Sequence, residues 1–316
     1  MIKKILQLLF NPSAQYCLKK LNIFIIYRDG NAIGDQVCMS GIIKLMYEQY
    51  NFKIIVFSNY PEIFEYNHRV WKNIGFNNLN KFVKLYILRF LRLFSGGQIE
   101  NFMFQYCNDT LENYMRQTKK NIHLIQAHSM HFKNKVRYID LHCEIYFSNT
   151  ELNYFQKKFN LPDEFAIIQP IGKTTFTPNK EWGFGNFQQV ITMMPKISWL
   201  QVGLSYDVLL KNVIDYRGKT NLRELFYLLS KARFVLANEG LLNHIVSSFN
   251  NKSIVVFSGF SCVGLAEYYN TISIYDGAYL ECKPCWKLHE CDIEGKPCMD
   301  KISVEGVVNT IKSITG

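Results

Sequence analysis

The sequence predicts an α/β fold with parallel sheets, organised as two halves of similar construction. Three observations predict it. A chain of 316 residues holds about two domains. A hydrophobic fraction of 48% against 20% charged gives each half the material for its own core. Short β-branched runs alternate with helix-length stretches, the pattern of strands joined by crossover helices. Disorder, a collagen-like chain and a small disulfide scaffold are excluded by the same values.

In the first half the apolar runs Asn22–Tyr27, Lys53–Phe57 and Ile122–Gln126 predict strands, with a helix over Gln36–Tyr50 between the first two. Around the apolar stretch Phe82–Phe94, a period of 3.6 residues gathers Lys81, Lys84, Arg89 and Arg92 on one arc. A helix with a basic stripe and a wide apolar remainder either lies on anionic lipid or packs into a core behind a solvated face. Thr150-Glu151-Leu152 opens a further helix and Leu161-Pro162-Asp163 closes it, which divides the chain near residue 160, into 1–160 and 161–316. In the second half strands are expected over Phe165–Gln169, Ser198–Val202, Phe234–Ala237 and Ser253–Phe257. Helices are expected over Phe184–Met194, Leu222–Ser230, Leu241–Phe249 and Val304–Ile314. There is no short-period repeat and no low-complexity tract.

Lys and Arg number 36 against 26 Asp and Glu, a net +10. Residues 1–160 carry 21 basic and 11 acidic side chains and residues 161–316 carry 15 of each, so the whole excess lies in the first half. That asymmetry predicts an anionic partner there: phosphorylated lipid or sugar, a membrane surface, or nucleic acid. No run approaches the roughly 20 apolar residues of a membrane span. Met1–Phe10 has the charged and apolar parts of a signal peptide, but Asn11-Pro12 interrupts it and no clean cleavage site follows, so it reads as an amphipathic helix or arm. Nine cysteines, with Cys17, Cys38, Cys107, Cys143 and Cys262 scattered in apolar surroundings, fit a reducing cytosol.

The first strand ends in Tyr27-Arg28-Asp29-Gly30-Asn31-Ala32-Ile33-Gly34-Asp35. Glycines at a strand-to-helix turn let a ligand approach the backbone, and Asp35 is placed either to act as a general base or simply to favour the helix dipole. The spacing is not the dinucleotide fingerprint. Gly172-Lys173-Thr174 and Gly218-Lys219-Thr220 imitate a phosphate loop, but Ile167 and Val213 stand where it needs a further glycine. After Phe165–Gln169, the residues Lys173, Thr174, Thr175, Thr177 and Lys180 crowd a loop leading into Glu181-Trp182. These groups suit a diphosphate at the carboxyl edge of a parallel strand, or form an ordinary polar loop. Cys282, Cys285, Cys291 and Cys298 make a C-x2-C-x5-C-x6-C cluster, the ligand set of a closed structural zinc or mononuclear iron site; two disulfides are the alternative. Glu239 and His244 follow a strand and could bind sugar hydroxyls or form a capped turn.

Taken in order, these pieces resemble glycosyltransferase family 9, the heptosyltransferase-like enzymes of bacterial lipopolysaccharide assembly. The Gly34-Asp35 turn is similar to that family's Gly-Asp turn, and Lys180-Glu181-Trp182 with Phe187 to its Lys-x-Trp element. Arg217-Gly218-Lys219-Thr220-Asn221-Leu222-Arg223-Glu224 is similar to its Arg-Gly-x-Thr-x-Leu-x-Glu stretch, Asn238–His244 to its Asn-Asp-Ser-Gly-x-x-His segment, and the four cysteines to the insert of some members. The resemblance implies a GT-B fold, two Rossmann-like domains whose parallel sheets face an interdomain cleft, with the acceptor on the N-terminal and the nucleotide-sugar on the C-terminal domain. It implies inverting transfer needing no metal for catalysis, with Asp35 as base and Thr174, Thr175, Lys180, Glu239 and His244 on the donor side.

Gly34, Lys81, Lys84, Arg89 and Arg92 fall on the acceptor side. The expected donor is ADP-heptose, the acceptor an anionic glycolipid, and the location the cytoplasm, peripheral on the inner membrane surface. Glu239 for aspartate and Gly240-Leu241 for Ser-Gly are departures that put the sugar in question. A protein-acceptor heptosyltransferase of the autotransporter type and a catalytically dead scaffold are alternatives. So is a zinc-knuckle nucleic-acid binder, disfavoured because Lys283, Lys287 and Lys296 balance Glu290, Asp292 and Glu294 within the loop.

Overall fold

The computed structural model describes residues 22–77, 79–94, 98–104, 110–118, 121–172 and 176–316, with the backbone alone for 92–94. The elements in chain order are β1 (Ile23–Arg28), α1 (Ile33–Tyr50), β2 (Lys53–Ser58), β3 (Val70–Gly75), α2 (Lys81–Phe94), β4 (Ile99–Asn101), α3 (Leu111–Thr118), α4 (Leu124–Ser129) and α5 (Asn149–Lys158). There follow β5 (Ala166–Gln169), α6 (Phe184–Met193), β6 (Trp199–Gln201), β7 (Ile214–Asp215), α7 (Leu222–Lys231), β8 (Phe234–Asn238), α8 (Leu241–Val246), β9 (Lys252–Val256), β10 (Thr271–Ile274), α9 (Pro297–Asp300) and α10 (Val304–Thr315).

The chain forms two compact units. One runs to Tyr114 and takes in Leu124–Phe147; the other comprises Met115–His123 and Ser148–Gly316. In the first unit four parallel strands lie in the order β3-β2-β1-β4, and in the second six lie in the order β10-β9-β8-β5-β6-β7. Both orders are doubly wound. The chain leaves the central strand in one direction and then returns to its other side, so the order reverses between β1 and β4 and between β5 and β8. The carboxyl ends of strands at such a reversal open onto a crevice where ligands bind.

Central strands must be apolar on both faces, and they are: Ile23–Ile26 and Phe234–Ala237 are wholly buried. Helix α1 is buried around most of its circumference, through Val37, Met39, Ile42, Ile43 and Met46. At Gly41 a side chain would meet the His142 carbonyl and Ile125 of α4, so close packing requires glycine. The second core gathers Ile168, Trp182, Phe187, Trp199, Leu236 and Val256 with Val307 and Ile311 of α10. Helix α5 belongs to this unit, with Phe155 against Tyr227 and Arg223 paired to Glu151 at 2.5 Å.

One expected strand is corrected. Residues 122–126 do not extend a sheet; Leu124–Ser129 is a short helix that buries Ile125, Ala127 and His128. A five-residue apolar run satisfies either period, and the docking of Ile125 over Gly41 decides for helix. Among the described residues no helix is long and apolar enough to cross a membrane.

Candidate functional site

The reversal in the first sheet carries the Asp35 turn. Gly30 adopts φ +130°, a conformation L side chains rarely reach. Buried Gln36 then clamps the turn: its amide donates to the Gly30 carbonyl at 2.8 Å, and its oxygen accepts from Ser58 Oγ and, at 3.2 Å, from the Asn59 amide. Asp35 stands in the first turn of α1, where the helix dipole favours a carboxylate. Arg28, at the end of β1, donates from Nη2 to Asp35 Oδ2. The other guanidinium nitrogens, Nε and Nη1, are buried without a hydrogen-bond partner, which leaves a cation facing Asp35 with spare donors. From α2, Lys84 donates to Asp29 Oδ1 at 2.9 Å and to Asn59 Oδ1 at 3.4 Å, while Lys81 and Arg89 are exposed. The side chain of Arg92 lies outside the described residues.

The reversal in the second sheet brings together the ends of β5 and β8. Asn238, closing β8, donates to the Pro170 carbonyl at 3.0 Å and to Glu181 Oε2 at 3.1 Å, and accepts from the Trp182 amide. Glu181 Oε1 in turn accepts from the Gly172 amide at 3.0 Å, and burial raises this carboxyl above its ordinary range. Pro170, Gly172, Glu181 and Trp182 are thereby tied to the end of β8 through Asn238 and Glu181. Next to it Lys180 Nζ reaches Glu239 Oε1 at 2.8 Å, with Ser261 Oγ donating to Glu239 Oε2 at 3.1 Å. The Lys180 ammonium also lies 4.9 Å from the Phe260 ring centre and 5.8 Å from Phe176. Glu239 is buried and Lys180 partly exposed, so the pair presents its cationic end. Thr174 and Thr175 lie outside the described residues.

His244 is buried and bonds Tyr268 Oη through Nδ1 at 2.7 Å; His123 packs edge-on against the same ring. Burial, and then His244, push the His123 imidazole down to about 3. The unfolded chain therefore binds a proton that the folded chain refuses between pH 6.5 and 3, and stability drains away as pH falls through that window, by up to about 1.4 kcal/mol per unit. Thermal melts of His123→Gln are expected to flatten the slope there; an unchanged slope assigns it to other groups.

The stretch Arg217–Glu224 has a local structural use. Asn221 and Glu224 form a reciprocal capping box at the start of α7, Glu224 also pairs with Lys158, and Arg217 Nε donates to Asp215 at 2.8 Å.

Cys282, Cys285, Cys291 and Cys298 line one cavity of about 160 Å³, with Asn179, Phe260 and Lys296. None is in a disulfide. Burial, with the other cysteines of the cluster contributing, raises the thiols of Cys285 and Cys298. Among the described residues no three His, Cys, Asp or Glu side chains already stand in metal-holding geometry. The chemistry of the donor set, four thiols on one cavity, fits a four-thiolate ion. The loop is stitched to the turn that bears Lys180. Thr177 Oγ1 and Asn179 Nδ2 donate to the Lys287 carbonyl at 2.8 and 2.9 Å, Asn179 Nδ2 to the His289 carbonyl at 2.5 Å, and Lys296 Nζ to the Pro178 carbonyl at 3.2 Å. The amides of Cys285 and Trp286 bond the carbonyls of Gly259 and Phe260.

Four of these participants are absent from the sequence-based expectations. Arg28 was visible as a cation ending the first strand. Phe260, Ser261 and Asn179 had no signal, because only the fold brings them to the site.

No protein-family model and no curated protein matches the chain. Solved structures do match its fold. E. coli ADP-heptose lipopolysaccharide heptosyltransferase II aligns over 92% of this chain and 98% of its own, at 12% identity and TM-score 0.65. A glycosyl transferase family 9 protein from Veillonella parvula aligns over 92% and 97%, at 13% and 0.66. The iron-containing dodecameric glycosyltransferase TibC of enterotoxigenic E. coli aligns over 93% and 76%, at 11% and 0.67, and TibC has also been solved with ADP-D-β-D-heptose. The chain has the GT-B, heptosyltransferase-like fold of these proteins.

Proposed function

We propose that this chain is an inverting glycosyltransferase that moves a sugar, heptose foremost, from a nucleotide-sugar to a lipopolysaccharide core or related surface glycan. The observation that carries the reading is the placement of Asp35 and of Lys180 at the order reversals of two parallel sheets, in a fold shared over nine-tenths of the chain with ADP-heptose transferases. Asp35 takes the proton of the acceptor hydroxyl as its oxygen attacks the anomeric carbon. The bond from that carbon to the diphosphate breaks on the opposite face, and the leaving diphosphate carries its negative charge to Lys180. Glu239 holds the ammonium in place until the phosphates arrive, and Asn238 with Glu181 keeps the surrounding loop in position. No metal is needed at the reacting centre. The four cysteines hold a structural zinc or iron, which would fix the loop that supports Thr177–Lys180.

A thermal-shift panel of ADP, UDP, GDP and CMP tests the donor, because a ligand that binds the native state raises the melting temperature. Selective stabilisation by ADP, lost in Lys180→Ala, is the expected result. A shift by UDP or GDP alone moves the donor to a hexose, and no shift with any nucleotide overturns the reading.

A second reading has its own support in the cysteine-lined cavity and in the likeness to TibC. On this reading the acceptor is a protein, and the chain assembles into a large oligomer. Light scattering on the purified protein separates the two readings: a monomer favours the glycolipid.

A further inference from the structure

We propose that α2 is a membrane-contact helix, its exposed face of Lys81, Phe82, Leu85, Tyr86 and Arg89 docking on an anionic phospholipid surface. The opposite face is already committed. Ile87, Leu88, Phe90 and Leu91 pack with Ile25, Phe57, Phe76 and Ile99 beneath the first sheet, and Lys84 turns inward to Asp29. What remains is apolar and in water: Phe82 is 84% exposed, Tyr86 64% and Leu85 43%. At about 100° per residue, positions 82, 85, 86 and 89 form one stripe with Lys81 at its edge. A lone exposed hydrophobe needs no explanation, but adjacent ones on one helix face mark a contact surface.

The charges identify what makes that contact. Lys81–Phe94 contains four basic residues and no acidic one. A bilayer interface meets both features together, with the acyl boundary taking Phe82, Leu85 and Tyr86 and lipid phosphates taking Lys81 and Arg89. The helix is also tied to the turn of Asp35. Lys84 bonds Asp29 and Asn59, and Asn59 Nδ2 bonds the Gly30 carbonyl at 3.1 Å. Docking α2 therefore sets that turn at a fixed height over the lipid, where a membrane-borne acceptor presents its hydroxyl. The docking itself does not depend on which reaction the chain performs.

Sedimentation of the full chain with vesicles of phosphatidylglycerol and phosphatidylethanolamine tests it. The protein is expected to pellet with these vesicles at low salt and to stay in solution with pure phosphatidylcholine. Lys81→Gln and Arg89→Gln should each weaken binding about fivefold. Phe82→Ser with Tyr86→Ser should weaken it at least about tenfold. All four sites are exposed, and unchanged thermal melts verify folding. In Tyr86→Trp, tryptophan emission should shift to the blue on adding anionic vesicles. Wild-type protein that ignores anionic vesicles overturns the proposal, as do variants that bind like wild type. It also fails if, without lipid, light scattering finds self-association that the serine variants abolish, because a second copy then covers the face.

Discussion

Asp35→Asn is expected to lower the rate of sugar transfer by about 10²–10⁴-fold, the usual contribution of a positioned general base, while nucleotide affinity stays at the wild-type level. The amide keeps the size of the carboxylate but cannot accept the hydroxyl proton. The variant also leaves the mostly buried guanidinium of Arg28 without its counter-ion, so some loss of stability, about 1–3 kcal/mol, should accompany the loss of rate. The two effects separate in a cycle. Arg28→Gln combined with Asp35→Asn removes the unpaired charge, and should recover thermal stability without recovering turnover. Turnover that returns with stability would make Asp35 a structural ion-pair partner and remove it as the base. Full turnover in Asp35→Asn alone would do the same.

Loss of the metal proposed at the cysteine loop is the second large effect. Purified protein should contain about one zinc or iron per chain. Cys285→Ser with Cys298→Ser should empty the site and weaken ADP binding by at least about tenfold, although neither cysteine touches the nucleotide in this reading. The path is short. The Lys287 and His289 carbonyls of the loop accept from Thr177 and Asn179, the residues just before Lys180, and the Trp286 amide holds Phe260, whose ring lies beneath the Lys180 ammonium. Without an ion, nothing ties together the four free thiols that line the cavity at the centre of that support. A folded, metal-free protein with four reactive thiols and unchanged ADP affinity would refute both the ion and the coupling.

Much of this fold was legible in the chain because central strands and their crossover helices have local signatures. Runs such as Phe234–Ala237 are apolar on both faces, and α10 repeats apolar positions at the helical period. The strands that escaped notice are those at or near the edges. Val70–Gly75 carries polar residues among its apolar ones, Ile99–Asn101 and Ile214–Asp215 have three and two residues, and Thr271–Ile274 is only partly buried. An edge strand takes its pairing from a neighbour, so its own residues need not announce it. Residues 122–126 failed for the converse reason: they have the composition of a strand, but Ile125 packs over Gly41 from a short helix.

At the candidate site the division is similar. By itself the sequence determined which residues are candidates for chemistry: the acid after the first strand, the lysine before Trp182, and four cysteines within seventeen residues. Those are properties of residue type and spacing along the chain. The tertiary structure decided how they are partnered. Arg28 faces Asp35, Lys180 meets a glutamate 59 positions later with Ser261 behind it, and the cysteines surround one cavity wired to the turn before Lys180. It also decided that Lys84 turns inward while Phe82 and Tyr86 face water, which a helical wheel alone leaves open. Partnership depends on which strand ends lie side by side, and the order of parallel strands is set by packing across the whole sheet.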